Sequence, residues 1–166
     1  GCVIAGAIDL DMIAVAAPRK DGVIHMESEG FSPLTVTPDM TYAPDPARFG
    51  TSDALVAGMV NGLADAGYQV GGFDAMATSD VLRGSGLSSS AAYEVMIGTI
   101  LNHLYNDGTI DAVTVAKLSQ RAENLFFGKP CGLMDQCACA IGGMIAIDFA
   151  DPTAPVVEAI PFDLTG

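Results

Sequence analysis

The stretch SDVLRGSGLSSSAAYEV, residues 79–95, decides how this chain is read. Gly84, Ser85, Gly86, Leu87, Ser88, Ser89 and Ser90 run straight into an apolar segment with helical spacing. Gly84 and Gly86 permit backbone angles closed to other residues and let the chain approach a ligand closely. Ser88, Ser89 and Ser90 stand where the helix begins. Their hydroxyls can cap its free N–H groups, and the same N–H groups suit a phosphate. The helix start carries about half a unit of positive charge, which favours a polyphosphate. A serine hydroxyl is also a reasonable Mg²⁺ ligand beside phosphates. A plain Gly-rich turn with a serine cap fits these residues as well. No Lys-Ser/Thr pair follows the glycines, so the run is not a Walker A loop. It also lacks the third glycine of a dinucleotide fingerprint.

Outward from this run, the pattern predicts helices over about 89–105, 52–66 and 111–127, with a short fourth helix from near Met134. Val95, Ile97, Ile100, Leu101 and Leu104 face inward on the first. Leu55, Met59, Val60 and Leu63 share one face of the second. Strands are predicted at 2–8, 12–17, 23–28, 33–38, 71–80, 142–150 and 155–162. RKDG at 19–22 reads as a hairpin turn with 23–28 as its return strand, 39–50 as loop, and DPTAP as a turn. The fold class is α+β with an antiparallel-rich sheet.

A second stretch, QRAENLFFGKPCGLMDQ at 120–136, holds Glu123 on a helix and Asp135 where a Gly-containing turn meets the next one. A lone helix carboxylate is usually solvated, and an Asp in a first turn usually serves the helix dipole. A chemical role needs both near a phosphate-bound Mg²⁺ and a substrate hydroxyl. His25 and His103 have no partner at metal-ligand spacing and read as structural.

The 166 residues carry seven basic and twenty acidic side chains, a net charge of -13. That argues against nucleic acid and anionic membranes as partners. An anion can still bind through backbone N–H groups, a helix start or a divalent metal. Mean hydropathy is +0.40 and half the residues are hydrophobic, so some apolar surface is expected to meet another domain or subunit. Cys2, Cys131, Cys137 and Cys139 form no CxxC pair and read as reduced, mostly buried thiols of a cytoplasmic protein. The sequence has neither a signal-type leader nor an apolar run long enough to span a bilayer. Both ends look cut from a longer chain.

Together VLRGSGLSSSAA and GKPCGLMDQ, with the Glu of RAEN before it, resemble the GHMP small-molecule kinases and, within them, the galactokinases. The resemblance covers nearly the whole chain. It implies a ribosomal-protein-S5-domain-2-like N-terminal, ATP-binding domain over 1–166, truncated at both ends and lacking a C-terminal lobe. It implies transfer of a phosphoryl group from MgATP to the 1-hydroxyl of galactose, giving galactose 1-phosphate. Carried over by position, Gly84 to Ser90 wrap the ATP phosphates, and Ser90 and Glu123 hold Mg²⁺. Asp135 takes or orients the proton of the sugar hydroxyl, and Cys131 and Gly132 approach the sugar. Leu82, followed by Arg83, replaces the family's usual proline. There is no Trp, and Ser52 falls where some galactokinases place one near adenine. The Arg-bearing strand and Glu-His-Thr-Asp motif of the family are absent, so the chain alone is expected to have little or no activity. Alternatives are a regulatory relative that binds ATP and galactose without turnover, and a GHMP kinase for homoserine, mevalonate or an amino sugar.

Overall fold

Gly72 lets a strand pass where a side chain would collide: a Cβ there would lie 2.4 Å from the Val23 carbonyl oxygen. This opening shapes the topology of the computed structural model, which describes residues 1–81, 86–151 and 154–161. The chain runs β1 (Cys2–Gly6), β2 (Met12–Arg19), β3 (Ile24–Ser28), β4 (Leu34–Val36), α1 (Ser52–Asp65) and β5 (Gly72–Ser79). It continues through α2 (Ser89–Tyr105), α3 (Ala112–Leu125), α4 (Met134–Ile141), β6 (Met144–Asp148) and β7 (Val156–Ile160). The strands form two sheets, β1-β6-β7 and β2-β5-β3-β4. Every pair is antiparallel except β3 with β5. That parallel pair needs a long crossover, which residues 29–71 supply with α1.

The expected hairpin at 19–22 does not form. β5 lies between β2 and β3, with Arg19 opposite Gly72 on one side and Ile24 opposite Phe73 on the other. Arg19 fixes the arrangement by pairing with Asp21 in the turn at 2.6 Å and with Asp74 of β5 at 2.8 Å. The loop at 39–50 is also more ordered than predicted. It contains two short 3₁₀ turns, Pro38–Thr41 and Pro46–Arg48. Arg48 pairs with Asp53 of α1 at 2.6 Å.

α1 is not amphipathic as predicted; residues 54–60 are all buried. The sheet covers one side and α3 the other. A Cβ on Gly58 would lie 2.8 Å from Ala122 Cβ and 3.0 Å from Ala122 Cα. Gly98 gives α2 a similar approach to Val115 of α3. These bare contacts draw the helices together and set where α3 carries Glu123. Ile24, Met26 and Phe73 of the sheet pack with Met59, Leu63, Ile97 and Leu101 of the helices. Each such large side chain contributes about 1.5–3 kcal/mol by burial. A second cluster joins Ala116, Leu133, Cys137, Ile145 and Ile147 under the three-stranded sheet.

The outer face of the four-stranded sheet is apolar: Val15 is 77% exposed and lies opposite Met76, 68% exposed, with Ile13 nearby. The cysteines are all free, but only Cys137 is buried and Cys131 half-buried. Cys2 and Cys139 are exposed, because the first lies on the edge of a sheet and the second on the outward side of α4. His25 Nδ1 lies 3.2 Å from Thr35 Oγ1 of the neighbouring strand, a structural contact. Among the described residues no helix is long and apolar enough to cross a membrane.

Candidate functional site

Four chain segments meet at the start of α2. Ser88 precedes the helix in the left-handed region, with φ 59° and ψ 40°. Gly86, at φ +79°, takes a conformation that favours glycine. The predicted cap by Ser88 is absent; its side chain makes no capping hydrogen bond. Its Oγ donates instead to Asp135 Oδ2 at 2.6 Å. Ser90 Oγ donates to Glu123 Oε1 at 2.9 Å. A serine hydroxyl carries one proton, and both of these give it to a carboxylate, a charged and therefore strong acceptor. The first-turn N–H groups of any helix lack intrahelical partners. Here these two side chains do not fill them.

Glu123 is the centre of the arrangement and is not the solvated residue its position suggests. Only 2% of it is exposed. Oε1 accepts from Ser90 and from Lys129 Nζ, the latter at 3.1 Å. Oε2 accepts from Gln136 Nε2 at 2.8 Å. That same amide lies 3.4 Å from Glu94 Oε2 and 3.5 Å from Cys131 Sγ. Burial, and then the charge of Glu123, push the Glu94 carboxyl up to about 9, so it is neutral at pH 7. Glu94 Oε1 and Gln136 Oε1 are buried without a protein partner.

The segment after α3 is tied back to that helix. Lys129 N–H donates to the Glu123 carbonyl at 3.1 Å. Cys131 N–H donates to Asn124 Oδ1 at 2.7 Å, and Gln120 Nε2 donates to the Cys131 carbonyl at 3.1 Å. Burial and the neighbouring Glu123 push the Cys131 thiol up to about 12. Cys131 is therefore a neutral thiol beside the site. Gly132 is exposed, with open space where a Cβ would stand. Asp135, in the first turn of α4, is exposed.

A cavity of about 420 Å³ opens beside Ser89 and Ser90 and runs under Tyr93, Ser52, Asp53 and Met26. Its size suits a nucleoside-sized ligand. Ser52 is among its lining residues. Among the described residues no three His, Cys, Asp or Glu side chains are grouped to hold a metal. The pair Ser90–Glu123 still fits Mg²⁺, which takes one or two carboxylates and leaves other positions to phosphates and water.

Of the predicted site residues, Ser88, Ser90, Glu123 and Asp135 converge. Ser89 faces the cavity, and Cys131 touches the same amide as Glu123. Gly84, Ser85, Leu82 and Arg83 lie outside the described residues. Glu94, Lys129 and Gln136 were missed. Only Glu94 left a usable signal, standing four residues after Ser90 and so on the same helix face.

Residues 54–143, just over half of the chain, match the family model described as GHMP kinases N terminal domain. The chain belongs to the GHMP kinases. The matched span holds both serines, Glu123 and Asp135. Among relatives of this GHMP kinase, the galactokinase of Clostridium tetani is 37% identical over 142 residues, 86% of this chain and 36% of that protein. The galactokinase of Pyrococcus furiosus is 37% identical over 163 residues, 98% of this chain and 44% of that protein. Lactococcus lactis galactokinase, solved in complex with galactose, superposes with a TM-score of 0.84 at 26% identity. That match covers 99% of this chain and 42% of the solved one. The chain thus spans less than half the length of these relatives.

Proposed function

We propose that the whole protein is a galactokinase, transferring a phosphoryl group from MgATP to the 1-hydroxyl of galactose. The observation that carries this reading is the double junction at the start of α2, Ser88 to Asp135 and Ser90 to Glu123. It brings a helix start suited to phosphate, a candidate metal carboxylate and a candidate base within one small space. The likeness to curated galactokinases of 37% identity supports galactose as the acceptor.

The residues divide the work as follows. The backbone from Gly84 to Ser90, with Gly86, Leu87 and Ser89 between, holds the phosphates against the start of α2. The cavity under Tyr93 takes the nucleoside. Ser90 and Glu123 would hold Mg²⁺, which would neutralise phosphate charge. Asp135, steadied by Ser88, orients the sugar hydroxyl and accepts its proton. Cys131 and Gly132 line the approach of the sugar, where the missing Cβ of Gly132 leaves room. Such transfer depends on positioning and charge neutralisation. The exposed apolar face around Val15 and Met76 is proposed to meet another lobe or subunit. Four free cysteines fit a reducing, cytoplasmic setting.

An ADP-release assay with galactose, mevalonate, homoserine and galactosamine tests the reading. Galactose is expected to be the preferred acceptor, and Asp135→Asn to lower its turnover strongly while nucleotide binding persists. Turnover with mevalonate or homoserine alone overturns the choice of substrate.

A further inference from the structure

We propose that Lys129 is a tethered cation that occupies the metal position on Glu123, so that a divalent ion must displace it to bind. The inference rests on reading Glu123 as the metal's carboxylate. Its basis is a shared atom. Lys129 Nζ and Ser90 Oγ both contact Glu123 Oε1, at 3.1 and 2.9 Å. A divalent ion held by Ser90 and Glu123 would need the place that the ammonium fills.

The local chain is built to bring the ammonium there. Gly128 turns in the left-handed region at φ +76°, packed so closely that a Cβ would lie 2.4 Å from the Phe49 ring. Pro130 follows, with its fixed φ. Between them the Lys129 N–H is anchored to the Glu123 carbonyl. The lysine therefore starts beside the residue that its side chain reaches. The two partners differ in surroundings: the Lys129 side chain is 62% exposed and that of Glu123 2%. The cation can leave into solvent; the carboxylate cannot follow.

The electrostatics give the exchange a direction. A buried carboxylate without a counter-ion is costly, and Lys129 supplies one in the metal-free protein. Ammonium and a divalent ion on one oxygen repel strongly, so they exclude each other. A bare metal ion only replaces one cation with another. A metal ion arriving with nucleotide brings phosphate charge that compensates the released ammonium. The design therefore favours metal that enters with nucleotide over metal alone.

The test is Mn²⁺ binding without nucleotide, followed by the paramagnetic signal, on the 166-residue chain. Lys129→Met is expected to bind Mn²⁺ roughly tenfold more tightly than wild type. Lys117→Met, on an exposed position of α3, is the control and is expected to match wild type. A second readout needs no variant to fold. The side-chain NH₃⁺ resonance of Lys129 in the wild-type chain is expected to shift or vanish on adding Mg²⁺ and ADP together. Equal Mn²⁺ affinity of Lys129→Met and wild type overturns the exchange, as does a Lys129 resonance that ignores Mg²⁺ and ADP. In both cases Glu123 as metal ligand stands. If Glu123→Gln leaves the affinity for Mn²⁺ with ATP unchanged, the metal assignment fails and the exchange with it.

Discussion

Ser90 donates its hydroxyl to Glu123 Oε1 across 2.9 Å, although 33 positions separate the two in the chain. Gly58 and Gly98 make the meeting possible, because their bare backbones let α1 and α2 settle onto α3. The candidate site is thus a consequence of helix packing as much as of the serine run.

Filling one of these gaps should disturb both the helix packing and the site. Gly58→Ala places a methyl group 2.8 Å from Ala122 Cβ, next to Glu123 in sequence. Overpacking of this kind costs about 1–3 kcal/mol. Thermal denaturation should show Tm lower by several degrees, with weaker Mn²⁺ binding because Glu123 moves with α3. A Tm equal to wild type would show that the helices separate freely.

Asp135 is assigned the sugar proton and Ser88 its orientation. Asp135→Asn should lower kcat by about 10²–10⁴ while the KM for ATP stays near wild type. Ser88→Ala removes only the 2.6 Å donor and should give a smaller loss, again in kcat. A change confined to the KM for ATP would move Asp135 from the chemistry to nucleotide binding.

Glu94 makes stability depend on pH. Its carboxyl keeps its proton in the fold up to about 9 but releases it near the ordinary 4.5 when unfolded. Between those values the folded chain binds more protons, so stability falls as pH rises through that window. Glu94→Gln mimics the neutral form and removes the dependence. Its unfolding free energy should exceed that of wild type by a margin that grows from about pH 5.5 to 8.5 and reaches several kcal/mol at the upper end. A difference independent of pH would mean that Glu94 stays ionised in the fold.

The helix starts, the glycine-serine run and the α+β class could be read from local pattern, and the limits of α2 at 89 and 105 agree with the periodicity. The insertion of β5 between β2 and β3 could not, because Gly72 meets Val23 only in three dimensions. The burial of Glu123 was hidden for the same reason: its covering groups come from α2, α4 and the loop between α3 and α4. The serines misled in the opposite sense. Their spacing signals a cap, but Ser88 makes none, and Ser88 and Ser90 both give their proton to carboxylates far away in sequence.

Phosphorylation of galactose at the anomeric oxygen is tested most directly by ³¹P NMR of the whole protein with ATP, Mg²⁺ and galactose. The expected result is the resonance of galactose 1-phosphate growing with that of ADP, and neither growing with Glu123→Gln. Hydrolysis to inorganic phosphate without a sugar phosphate, or phosphate on another hydroxyl, would contradict the account.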